Sequence, residues 1–131
     1  MNYNLNMIQN ELKYQLLERF KKFTLNVVRL IKALPKTEEN KIFGKQIIRS
    51  ASSIGANYSE ALFAQTKQEF MHCLNISRKE ANETLYWSSL LESVNPPFND
   101  EFNNLRNENK EILKILISSV KTLQVNSRNK L

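Results

Sequence analysis

The chain is poor in the residues that most active sites and most sheets depend on. Among its 131 residues are one cysteine, one histidine, one tryptophan, two glycines and three prolines. With Cys73 alone, no intramolecular disulfide can form, which fits a reducing compartment. So little glycine and proline leaves too few turn residues for a many-stranded fold and argues for a few long helices. The same scarcity excludes collagen-like and linker-like chains. A single histidine, His72, leaves nucleophilic triads and histidine acid–base pairs without parts. No apolar run is long enough to span a bilayer, and the longest clusters, such as residues 112–117, are broken by Lys114. The opening MNYNLNMIQNEL has neither the basic nor the apolar region of a signal peptide, so a cytoplasmic protein is expected.

Chemical motifs are equally scarce. There is no glycine-rich phosphate loop, no zinc spacing, no helix-turn-helix signature and no RNA-recognition motif. Glu69 and His72 match the Glu-x-x-His pattern of di-metal bundles, but such a site needs a second copy of the motif, and no second histidine exists. Cys73 lies beside Leu74 on an apolar stripe and reads as a small buried hydrophobe. No enzyme, cofactor or metal is expected. A ligand-binding bundle would need an apolar cavity, and Gly44, Ala51 and Gly55 are better explained by close helix packing.

What the chain does carry is positive charge and helical periodicity. The formal net charge is +6. Residues 10–62 hold ten Lys/Arg against five Asp/Glu, whereas residues 63–98 hold three against four. A basic half can attract nucleic acid, or it can simply keep a protein soluble. The candidate phosphate contacts are Arg19, Lys21, Lys22, Arg29, Lys32, Lys36, Lys41, Lys45 and Arg49.

Four segments repeat apolar residues at threes and fours, the helical spacing. The first, residues 10–34, carries Leu12, Leu16, Phe20, Phe23, Val27, Leu30 and Leu34, and Pro35 ends it. The second, residues 38–62, starts after a Thr37 cap and carries Phe43, Ile47, Ala51, Ile54, Tyr58 and Ala61. Gly44 and Gly55 inside it suggest a tightly approaching neighbour. The third, residues 67–93, opens on a Thr66–Glu69 capping box and carries Phe70, Leu74, Ser77, Ala81, Leu85, Ser88 and Leu91. The fourth, residues 99–123, has Asn99 as its cap and carries Phe102, Leu105, Ile112, Leu116, Val120 and Leu123. Residues 124–131 form a polar tail expected to fray. Short links between long helices predict one domain, an all-α, up-down-up-down antiparallel four-helix bundle.

Two features exceed what a lone bundle needs. Leu17, Val28, Ile31, Tyr86, Trp87, Leu113, Ile115 and Ile117 widen the apolar stripes, which points to homo-oligomerisation. Gln46, Arg49, Ser53, Asn57 and Glu60 form a polar stripe on the second helix, with Glu80 and Glu83 on the third as expected partners for Arg49. A register-fixing network or a solvated face is the structural explanation of that stripe. A ligand or RNA contact is the functional one.

The run QIIRSASSIGANYSEA over residues 46–61 resembles the second helix of the 23S ribosomal RNA intervening-sequence proteins, a family of small bacterial four-helix bundles. Gln46, Arg49, Ser53, Ile54, Asn57 and Glu60 carry the match. The string KEANETLYW over residues 79–87 resembles a branch of that family, preceded by Phe70, Leu74, Ile76 and Ser77. Tyr58 and Ala61 depart from the pattern, which has an aliphatic residue and glycine there. The chain is also similar to the accessory protein of diversity-generating retroelements. The resemblance implies a bundle that assembles into a ring, commonly a homopentamer. The expected function is a non-enzymatic oligomeric adaptor contacting RNA or a nucleoprotein through a basic face. The competing expectation is a protein–protein scaffold with no nucleic-acid role.

Overall fold

The computed structural model describes the backbone of residues 2–129 and the side chains of residues 10–121. It contains α1 (Asn2–Ala33), α2 (Glu38–Leu62), α3 (Lys67–Val94) and α4 (Asn99–Asn129), with a short 3-10 turn, Pro96–Phe98, before α4. Each helix packs on its neighbours in sequence, and α4 closes against α1, while among the described residues the diagonal pairs do not meet. That order is an antiparallel four-helix bundle. Among the described residues the α2–α3 seam is the most extensive. No helix among the described residues is long and apolar enough to cross a membrane.

The apolar stripes meet in one core. Phe20, Phe23, Val27, Ile47, Ile54, Leu74, Leu91, Phe102, Ile112 and Leu116 are buried within it. Burying side chains of this size contributes roughly 1.5–3 kcal/mol each, the main force holding the helices together. Tyr58 stands edge-on to Phe20, ring centroids 5.1 Å apart and planes at 87°. Thr37 caps α2 by accepting from the Asn40 N–H at 3.2 Å. Thr66 caps α3 by accepting from the Glu69 N–H at 3.0 Å. The Glu69 carboxylate accepts from the Gln65 N–H at 2.9 Å, one residue before the position a capping box would use.

Several expectations are corrected. Helix α1 starts at Asn2 rather than residue 10. Asn99 is the first residue of α4 rather than its cap, because the Pro96–Phe98 turn feeds directly into the helix. Helix α4 runs on to Asn129 instead of ending at residue 123, since no glycine or proline interrupts it. The side chain of Leu123, and those of the polar tail, lie outside the described residues. Leu12 is 54% exposed, beyond the core-facing part of its stripe. On α3, Thr84 is fully buried while its neighbour Leu85 is only half-buried, because α3 packs between α2 and α4 and turns a broad face inward.

Candidate nucleic-acid interface

The basic residues divide into places with different chemistry. At the corner where α1 passes into α2, Lys32, Lys36, Lys41 and Lys45 surround a shallow groove of about 250 Å³. Ile31, Leu34, Pro35 and Ile48 form its apolar walls, and neither an acid nor an aromatic ring lines it. All four lysines are exposed and make no ion pair among the described residues. The positive end of the α2 macrodipole lies at the same corner. Glu38 precedes Lys41 by three positions, about one turn, so it shares the Lys41 side of α2.

The sequence builds this corner rigidly. Pro35 stops α1 and Thr37 restarts the chain as α2. Buried Asn40 donates through Nδ2 to the Pro35 carbonyl at 2.8 Å and to Asn95 Oδ1 at 2.9 Å. Asn95 answers with Nδ2 to Asn40 Oδ1 at 2.8 Å and to the Leu91 carbonyl at 2.8 Å. The α1–α2 turn is thereby tied to the C-terminal end of α3. Gly44 adds closeness, since a Cβ there would lie 2.9 Å from Ile31 Cγ2.

Arg19, Lys21, Lys22 and Arg29 sit elsewhere, along a wider groove of about 720 Å³ on the α1–α4 side. Glu18 and Glu108 line the same groove, so its charge is mixed. Arg19 is bound in bidentate fashion by Glu108, at 2.8 Å from Nε and 2.7 Å from Nη2. The hydrogen bond to Glu108 holds the guanidinium above its ordinary pKa. Arg29 donates to Asn26 Oδ1 at 3.0 Å. The expected basic face is therefore two surfaces, of which the corner is the one whose groove has no acid in its lining.

The polar stripe occupies a third surface, over the α2–α3 seam. Arg49 donates to Glu80 Oε2 at 3.3 Å and pairs with Glu83, while Gln46 Oε1 accepts from Arg49 Nε at 3.3 Å. Trp87 Nε1 donates to Glu83 Oε2 at 3.2 Å. Ser53 and Asn57 turn inward on their own helix, donating to the carbonyls of Arg49 at 2.8 Å and Ser53 at 2.9 Å. Glu60 is exposed. These pairs tie the two helices in register, and an exposed pair of this kind contributes about 0–1 kcal/mol. Phe43 and Tyr86 flank Trp87, with centroids 6.2 Å and 5.3 Å away.

Sequence reasoning missed the buried polar residues Asn40, Thr84, Asn95 and Asn109. Thr84 shares a hydrogen bond of 2.8 Å with Ser50, and Asn109 donates to the Ala81 carbonyl at 2.9 Å. No distinct signal marks them, since asparagine is frequent on every surface of this chain. Among the described residues no three His, Cys, Asp or Glu side chains gather as a metal site.

The comparisons with known proteins agree with this architecture. The family model described as 23S rRNA-intervening sequence protein matches residues 12–118. A crystal structure of a protein of unknown function from the S23 ribosomal protein family of Bacteroides thetaiotaomicron VPI-5482 is similar, at 38% identity and a TM-score of 0.76. That match covers 83% of this chain and 97% of the other. No curated protein matches. A match over so much of the bundle shows the relationship: the chain belongs to the 23S rRNA-intervening sequence protein family.

Proposed function

We propose that this protein is a non-enzymatic, oligomeric helical adaptor that contacts RNA or a nucleoprotein through its α1–α2 corner. The observation that carries the reading is the groove of Lys32, Lys36, Lys41 and Lys45, open to solvent and without a lining acid. Four exposed cations on a rigid turn, none of them in an ion pair among the described residues, favour phosphate over any neutral ligand. The family description, which links its members to an intervening sequence of 23S rRNA, supports the same direction. Binding of the purified protein to structured RNA, single-stranded RNA and duplex DNA across a salt series tests it. Saturable RNA binding that survives about 0.15 M salt with a steep log–log slope is the expected result.

A second reading, a protein–protein scaffold, is favoured by a separate observation. Ile42, Tyr86 and Val94 are 52%, 59% and 44% exposed on α2 and α3, and Tyr86 stands against Trp87 of the Phe43–Trp87 aromatic pair. Loss of all nucleic-acid binding at physiological salt would leave this as the function and the lysines as solubilising charge.

A further inference from the structure

The α1–α2 groove carries charge but no ring to stack on a base, and neither an arginine fork nor a free amide to read its edge. No aromatic ring lines the groove. Phe43, on the neighbouring face of α2, is turned to Trp87, and the exposed Tyr14, Phe63 and Tyr86 lie elsewhere on the bundle. Asn40, the one amide at the groove, is 5% exposed and bonded through Nδ2 and Oδ1 to Pro35 and Asn95. All the cations lining it are lysines, which act as point charges, whereas arginine supplies the planar fork used in base readout. Single-strand binders combine a basic groove with aromatic platforms, and sequence-specific RNA readers splay bases onto such rings. Double-helical RNA is held mainly through shape and backbone, which asks only for well-placed cations.

We propose that this corner binds the phosphate backbone of double-helical RNA, with no base contact. The inference rests on the reading of the corner as an RNA contact. Lys41 and Lys45 project from successive turns of α2, about 6 Å apart along its axis, while Lys32 and Lys36 approach from α1 and the turn. Charges from three chain segments on a turn locked by the Asn40–Asn95 pair can meet several phosphates at once. Glu38 opposes them: it lies one turn before Lys41 and two before Lys45, on their side of α2.

The test is fluorescence anisotropy on the full chain with two RNA probes of equal phosphate number, a fully paired hairpin stem and unpaired oligouridine, across a salt series. The stem binds about tenfold more tightly than oligouridine, because it presents the denser phosphate array. Scrambling the stem sequence leaves affinity unchanged. Lys41→Ala with Lys45→Ala lowers the salt slope on the stem by about two. Glu38→Gln tightens binding to the stem. All three substitutions are at exposed positions, and circular dichroism verifies that the variants remain helical. Oligouridine bound as tightly as the stem, or a stem whose scrambling weakens binding, overturns the helical-backbone assignment and leaves the RNA contact standing. If neither probe binds at physiological salt, the RNA contact itself fails and this inference with it.

Discussion

Gly44 and Gly55 both lie inside α2 yet meet different neighbours. An added Cβ at Gly44 would press to 2.9 Å on the Cγ2 methyl of Ile31, which as part of a β-branched side chain cannot swing away alone, whereas at Gly55 it would meet Phe20 Cβ at an ordinary 3.5 Å. Replacing glycine by alanine in a helix gains about 1 kcal/mol of propensity, while overpacking costs about 1–3 kcal/mol. Gly55→Ala therefore raises the unfolding free energy by up to about 1 kcal/mol, and Gly44→Ala lowers it. Urea titration of the two variants checks the opposite signs. The sequence suggests a tight neighbour for both glycines equally, because the distance to the next helix depends on rotation about the axis. Tyr58 adds a pH dependence. Burial pushes its phenol above the ordinary value of 10.0. A raised folded-state pKa gives stability that is complete below pH 10 and is lost as pH rises through the folded value. Tyr58→Phe keeps the ring against Phe20 and removes the ionisable group. Thermal melts from pH 9 to 11 should show the wild type losing more stability than the variant.

At the level of elements, caps and stripes were legible because their information is local. Thr37 and Thr66 are each followed three residues later by the N–H they cap, and α1 ends at Ala33, two residues before Pro35. Buried asparagines were not legible, because nothing in one helix tells which amide will face another. The Asn40–Asn95 pair joins the α1–α2 turn to the end of α3 across 55 positions of sequence. Removing one member leaves the other amide buried with its partner gone, a cost of about 1–3 kcal/mol. Asn40→Ala and Asn95→Ala are each expected to destabilise by that order, and the double variant by less than the sum. Equal additivity in a double-mutant cycle would show that the two amides do not support each other.

For the whole molecule, the bundle was legible from four apolar stripes and short links, and the candidate site was not. The basic residues could be named in the sequence, but their division into a corner groove lined by lysines and a mixed α1–α4 groove depends on how α1 rolls against α2 and α4. Arg19 illustrates the difficulty: its partner Glu108 lies 89 positions away. The exposed apolar side chains of Ile42, Tyr86 and Val94 bear on assembly. Light scattering at micromolar concentration is expected to give a mass several times the monomer, and Tyr86→Glu to reduce it. A wild type that scatters as a monomer would remove the oligomeric part of the proposal.

The most direct test of the account asks whether the corner acts as a site or merely adds to net charge. Two variants remove the same number of positive charges: one replaces Lys32, Lys36, Lys41 and Lys45 by alanine, the other Lys67, Lys79, Lys110 and Lys114, which are exposed on α3 and α4. Structured-RNA affinity is then measured for both at one physiological salt concentration. The account predicts that the corner variant loses binding and the α3–α4 variant keeps most of it. Equal losses would contradict it, since the attraction would then belong to the overall charge and to no particular surface.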